Sequence, residues 1–161
     1  MEILTDRLFR HMAWANAYVF DRLATLSSQE LEYTAPMDDW TAASILEHIT
    51  GCHYANLLDG KGYIQTKAPT NAAEVLALKE LSIGFDARLR EAAMEPAGFV
   101  EYTRDGKLIR RARATILAQA IHHATEHRAQ IAGIYSARGM KVIDLDEIDL
   151  WEFANYEGLG D

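Results

Sequence analysis

Four segments with apolar residues at helical spacing, one Asp-Gly pair between β-rich stretches, and an acidic tail studded with apolar residues predict an all-α fold. The expected architecture is a four-helix bundle with a small β-hairpin before the fourth helix and a short C-terminal helix. Sites in bundles form where helix faces meet, so polar residues on the inward stripes are the ones to weigh for chemistry.

The first helix is expected over residues 4 to 26, where Leu4, Leu8, His11 or Met12, Ala15, Tyr18 or Val19, and Leu23 recur every three or four positions. "SSQELEYTAPMDDW" supplies capping and turn residues. A second helix follows Trp40, with Thr41 or Ser44 as its N-cap, and runs to about Leu58. Its inward stripe is Ile45, His48 or Ile49, Cys52 and Ala55. "DGKGYIQTKAPTN" is a polar connection rich in Gly and Pro, ending at Thr70 or Asn71 as the next cap. The third helix carries Val75, Leu76, Leu78, Leu81, Phe85 and Leu89 on its apolar side and stops near Met94, before Pro96. "GFVEYTRDGKLIRRARA" breaks this rhythm, and Asp105-Gly106 is a pair favoured in two-residue hairpin turns. From Thr115 the helical period resumes and lasts to Arg138, with Gly139 available as a left-handed cap. Ile148, Leu150, Trp151 and Phe153 give the tail enough apolar surface to dock a short helix on the body or on a second subunit.

A chain of 161 residues is long enough to bury a core without disulfides, and residues 1–161 are read as one domain. The apolar fraction of 49% and charged fraction of 25% are those of an ordinary globular protein. Lysine and arginine number 16 against 24 acidic residues, a balance of −8, which repels a phosphate backbone and argues against nucleic acid as a partner. No apolar run approaches the roughly 18 residues of a membrane span, and "MEILTDRLFRHM" lacks the apolar core of a signal peptide. A cytoplasmic protein with no membrane partner is expected. The single cysteine, Cys52, forms no internal disulfide and reads as a small buried apolar residue, with metal ligation as its other role.

The inward stripe of the fourth helix runs Ile116, Ala120, His123, His127, Ile131 and Ile134. His123 and His127, four residues apart, lie one turn apart on one face, where both rings can bind one metal ion. His48 can meet them across the bundle. Three neutral imidazoles suit zinc or a similar divalent ion with one coordination position open, the arrangement of catalytic sites. The plain alternative is three buried, hydrogen-bonded histidines, and each ring would then have to find polar partners or cost roughly 1 to 3 kcal/mol. His122 and His53 fall off these faces and are read as surface or rim residues. His11 lies on the first-helix stripe, as a plain core residue, a hydrogen-bonding neighbour of a ligand, or a fourth ligand. Arg110, Arg111 and Arg113 are read first as solvated arginines of a hairpin strand, and otherwise as an attraction for an anionic substrate.

"HMAWANAYVFDRL", "WTAASILEHI", "YTRDGKLIRRARATI" and above all "HATEHRAQI" resemble the DinB/YfiT-like metal-binding four-helix bundles over nearly the whole chain. The resemblance implies that His48, His123 and His127 bind a divalent metal. It departs from the family at Ala129, where an Arg-Gly-Gln run is usual, and at "CHYANLL", where a tryptophan is common. It implies a homodimer acting on a small-molecule substrate: the ion, zinc or nickel first and manganese or iron otherwise, activates a low-molecular-weight thiol for S-transfer to an electrophile. A hydrolase in which the ion activates water, and a non-catalytic structural or sensory metal-binding dimer associated with stress or DNA damage, are the alternatives. In the dimer reading Trp151 and Phe153 lie at the interface. "HATEH" also spells the inverted zinc-protease motif with Glu126 as general base, but those proteases are much larger and take a distant glutamate as third ligand. Glu126 is better read as a solvated carboxylate or one that supports a ligand from behind.

Overall fold

Helix α1 (Leu4–Leu23) buries Phe9, Met12, Ala15, Asn16, Val19, Phe20 and Leu23. In this computed structural model, which describes residues 4–36 and 39–160, α1 packs mainly on helix α5 (Ala72–Met94) and also meets α6 (Arg113–Ser136) and the tail. Met1 to Ile3, Met37, Asp38 and Asp161 lie outside the described residues, and with them the start of the N-terminal segment and the middle of the turn expected before Trp40. The expected positions Met12, Ala15, Val19 and Leu23 are buried and Leu4 is exposed, while Phe9, Asn16 and Phe20 join them because a helix wedged between neighbours buries more than one row of side chains. The short helix α2 (Ser28–Leu31) opens with a capping box in which Ser27 and Glu30 satisfy each other's backbone N–H groups.

The expected second helix is broken into α3 (Ala42–His48) and α4 (Cys52–Leu58). Thr41 caps α3, its hydroxyl accepting from the Ser44 N–H at 3.1 Å. Gly51 makes the break with φ +71, and a Cβ there would sit 2.9 Å from Leu89 Cδ1 of α5. Only glycine allows this left-handed turn and this close approach together. The Ile49 carbonyl, at the break, accepts from Asn16 Nδ2 at 3.3 Å.

Asn71 caps α5 (Ala72–Met94) by accepting from the Glu74 N–H. Its buried row is Val75, Leu78, Ser82, Asp86, Leu89 and Ala92, whereas Leu76 and Leu81, expected inward, are exposed and Phe85 is half-buried. The three- and four-residue steps from Leu78 pass through Ser82 and Asp86, so two polar side chains stand on the buried row in place of the expected Leu81 and Phe85. Strands β1 (Phe99–Arg104) and β2 (Lys107–Ala112) pair antiparallel, with Asp105 (φ +51) and Gly106 (φ +73) forming the two-residue turn. The register puts Val100 and Arg111, Tyr102 and Ile109, and Arg104 and Lys107 on one face of the ribbon.

Helix α6 (Arg113–Ser136) leaves β2 directly, two residues before the expected start, and Gly139 follows it at φ +70. A 3-10 turn (Asp146–Ile148) leads to α7 (Leu150–Tyr156), capped by Asp149. Ile148 and Phe153 are buried against the body while Trp151 is 81% exposed, so Phe153 is used within the chain and only Trp151 of that pair remains on the surface.

Two apolar clusters make up the core, and their membership changes along the helices. Along α3 and α4 it switches between Ile49 and Tyr54, along α5 between Leu78 and Leu89, and along α6 between Ala124 and Ile131. The residues in between are Thr50 and His53, Ser82 and Asp86, and His127 and Arg128, a buried polar layer. Arg128 donates to Asn16 Oδ1 at 2.7 Å, and Asn16 Nδ2 reaches Asp86 Oδ2 at 3.5 Å. Burial pushes the Asp86 carboxyl up to about 7, against the opposing pulls of Asn16, Arg128 and Ser82.

Candidate metal centre

One side of this polar layer is a cluster of imidazoles. His48 ends α3, His53 lies in α4, and His123 and His127 sit one turn apart on α6. Ring centroids are 5.5 Å apart for His48 and His123, 5.5 Å for His48 and His127, and 4.1 Å for His123 and His127. The three histidines expected to meet across the helices do meet.

His53 joins them, at 5.6 Å from His48 and 5.2 Å from His123, and it is buried, which corrects its expected place on the rim. Five residues on an unbroken helix turn a side chain by about 140° away from its partner. The left-handed residue at Gly51 resets the phase of α4, and both rings then face α6. No sequence signal short of foreseeing that break would have found His53.

Burial, and then the charges of neighbouring histidines, hold His48 and His53 down to about 4 and His123 down to about 3. These rings are neutral at neutral pH, the form that binds a metal without first losing a proton. His127 Nδ1 donates to Gln130 Oε1, which leaves Nε2 as the nitrogen with the free lone pair. That lone pair accepts from His123 Nε2 at 2.9 Å. Trp40 stacks on His48 with centroids 4.4 Å apart and closes one side. Gln65 lies over the His48 ring, its Nε2 at 3.3 Å from Nδ1. The Gln65 loop is held by Glu47, whose Oε1 accepts from the Thr66 N–H and hydroxyl at 2.8 and 2.7 Å.

Among the described residues, no three His, Cys, Asp or Glu side chains already close on one metal position. The reason lies in the rings: His123 and His127 are hydrogen-bonded to each other, and His48 lies within 5° of parallel to His127. The chemistry of the donors nevertheless fits a divalent ion: imidazoles from two helices, one oriented by a hydrogen bond at its far nitrogen.

The other candidates fall elsewhere. His11 Nε2 donates to the Ile148 carbonyl at 2.8 Å and packs on Trp14 and Phe153, tying the tail to α1. Glu126 is exposed and hydrogen-bonds to none of the clustered rings among the described residues, and His122 is exposed as expected. Cys52 is buried, its thiol pushed up by burial and by the charge of Glu47 and accepting a hydrogen bond from Asn56 at 3.4 Å. That environment suits a protonated thiol better than a thiolate ligand. Gln130 is legible in the sequence, three residues after His127 and so on the same face, whereas Trp40 and Gln65 come from separate segments.

A cleft of about 420 Å³ adjoins the cluster, between the hairpin, α4 and α6, and both His53 and His123 line it. Tyr54 stands in its wall at 5.3 Å from His123, and burial raises its phenol to about 12, so it is a hydrogen-bond donor at neutral pH.

A mostly helical chain with one hairpin ahead of its last long helix, and an imidazole cluster between two of its helices, defines a class of helical proteins with a concealed polar site. The family model described as DinB family matches residues 1–157, and the chain belongs to the DinB family. No curated protein and no solved structure matches it. Among the described residues no helix is long and apolar enough to cross a membrane.

Proposed function

We propose that the protein is a four-helix-bundle, metal-dependent enzyme of the DinB family in which His48, His123 and His127 hold a divalent ion, zinc or nickel first. The observation that carries this reading is the convergence of imidazoles from α3 and α6, His48 and His127 buried and His123 half-buried, beside a cleft. When bound, the ion supplies a Lewis acid that lowers the pKa of a low-molecular-weight thiol, so that it is a thiolate at neutral pH. The residues around it position the reactants. Gln130 orients His127, Trp40 fixes the plane of His48, and the Gln65 loop, pinned by Glu47, covers the site. The cleft takes the electrophile with Tyr54 donating to it. In the transfer the thiol gives its proton to solvent water, a bond from sulfur to the electrophile forms, and the electrophile's bond to its leaving group breaks, the leaving group departing with the bonding electrons.

The test is elemental analysis of tag-free protein beside His48→Ala and His123→Ala, followed by thiol and electrophile screening of the loaded wild type. Stoichiometric metal lost in both variants, with thiol-dependent turnover, is the expected result. Metal without turnover would leave a structural or sensory site. Absence of metal even after reconstitution would overturn the reading altogether.

A further inference from the structure

The hairpin does more than interrupt the helices. Its inward face carries Val100, Tyr102 and Ile109 against the body and places Arg104 and Arg111 at the cleft that His53 and His123 share. The outward face is different: Arg110 stacks over Phe99 at 3.8 Å, and Arg113, at the start of α6, is paired with Glu95. The strand arginines thus divide by register. Arg111 has no carboxylate within 4.0 Å among the described residues and donates to the Tyr102 hydroxyl at 3.3 Å. Arg104 has only its exposed neighbour Asp105, at 3.8 Å. The chain has 24 acidic residues, and among the described residues none lines this cleft. Two guanidinium groups unneutralised by a carboxylate in the wall, beside tyrosine hydroxyls and the apolar Leu57 and Ile116, make a surface for an anion with an apolar body.

We propose that this cleft is a subsite for an organic acid, with Arg104 and Arg111 supplying the positive charge that attracts its carboxylate and the rest of the molecule lying along the wall toward His123. The proposal deepens the functional reading above and rests on it for the catalytic use of the bound acid. The binding itself does not depend on a metal, and the experiment separates the two.

The probes are 3-phenylpropionate and its neutral isostere 3-phenylpropanamide, titrated calorimetrically into the full-length protein as purified, with metal content measured on the same samples. The acid is expected to bind about tenfold or more tightly than the amide, as charge-assisted hydrogen bonds require. Arg104→Gln with Arg111→Gln should abolish that preference while leaving the melting temperature and metal content unchanged, since both side chains lie on the surface. Arg111→Lys should keep part of it. Equal affinities for acid and amide in the wild type, or a preference that survives the double variant, would overturn the proposal. A preference that persists after chelator treatment, in a protein that never holds metal, would uphold the subsite while the metal reading fails.

Discussion

Asp86 is the sharpest test of how the polar layer is balanced. Its carboxyl is buried on α5, its Oδ1 has no hydrogen-bond partner, and Asn16 stands between it and Arg128. Burial lifts its pKa from 3.8 to about 7. A raised folded-state value means that the unfolded chain gives up the proton first. The stability contributed by this group is therefore complete below about pH 4 and is lost as pH rises through about 7. The shift of about 3 units, at 1.36 kcal/mol each, sets an upper bound of roughly 4 kcal/mol on the loss. Asp86→Asn keeps the shape of the protonated acid and cannot ionise. Urea denaturation of both proteins, with chelator present, should show the variant gaining on the wild type by up to about 1.4 kcal/mol per pH unit between pH 4 and 7, then levelling. The buried histidines, with lowered values, lose stability in the opposite direction as pH falls below 6.5, but this affects both proteins and cancels in the difference. A difference independent of pH would refute the argument. A wild type that gains on the variant as pH rises would show that the Arg128 charge outweighs burial and that Asp86 is ionised in the fold.

Two further outcomes follow from the site. Gln130→Ala removes the acceptor at His127 Nδ1, and metal affinity measured by competition with a chelating dye should fall about 10- to 100-fold. Because Gln130 is exposed, the melting temperature of the metal-free protein should barely change, and an unaltered affinity would show that the hydrogen bond does not prepare the ring. Gly51→Ala combines a left-handed backbone, costing about 1 to 2 kcal/mol for a residue with a Cβ, with a contact to Leu89 Cδ1 at 2.9 Å. A loss of roughly 2 kcal/mol or more in urea denaturation is expected, together with weaker metal binding as His48 shifts relative to His123 and His127. An unchanged midpoint would mean that the break between α3 and α4 does not need glycine.

The sequence by itself determined the features that local physics governs. Helical spacing marks the long helices, Thr41 and Asn71 cap theirs because their side chains reach backbone N–H groups three residues on, and Asp105-Gly106 turns the hairpin because both residues accept positive φ. The pairing of His123 with His127 belongs to the same class, since two residues four apart on a helix share a face whatever surrounds them. The tertiary structure decided everything that depends on another element's position. Gly51 breaks a segment that is helical by spacing, because α5 lies too close for a side chain and Asn16 accommodates the carbonyl at the break. That break, rather than any local preference, brings His53 into the cluster. Ser82 and Asp86 take the buried row of α5 in place of Leu81 and Phe85, and Asn16 and Arg128, far away in the chain, complete the polar layer around Asp86. Arg111 separates from Arg110 and Arg113 through strand register, which only pairing and packing against the helices can set.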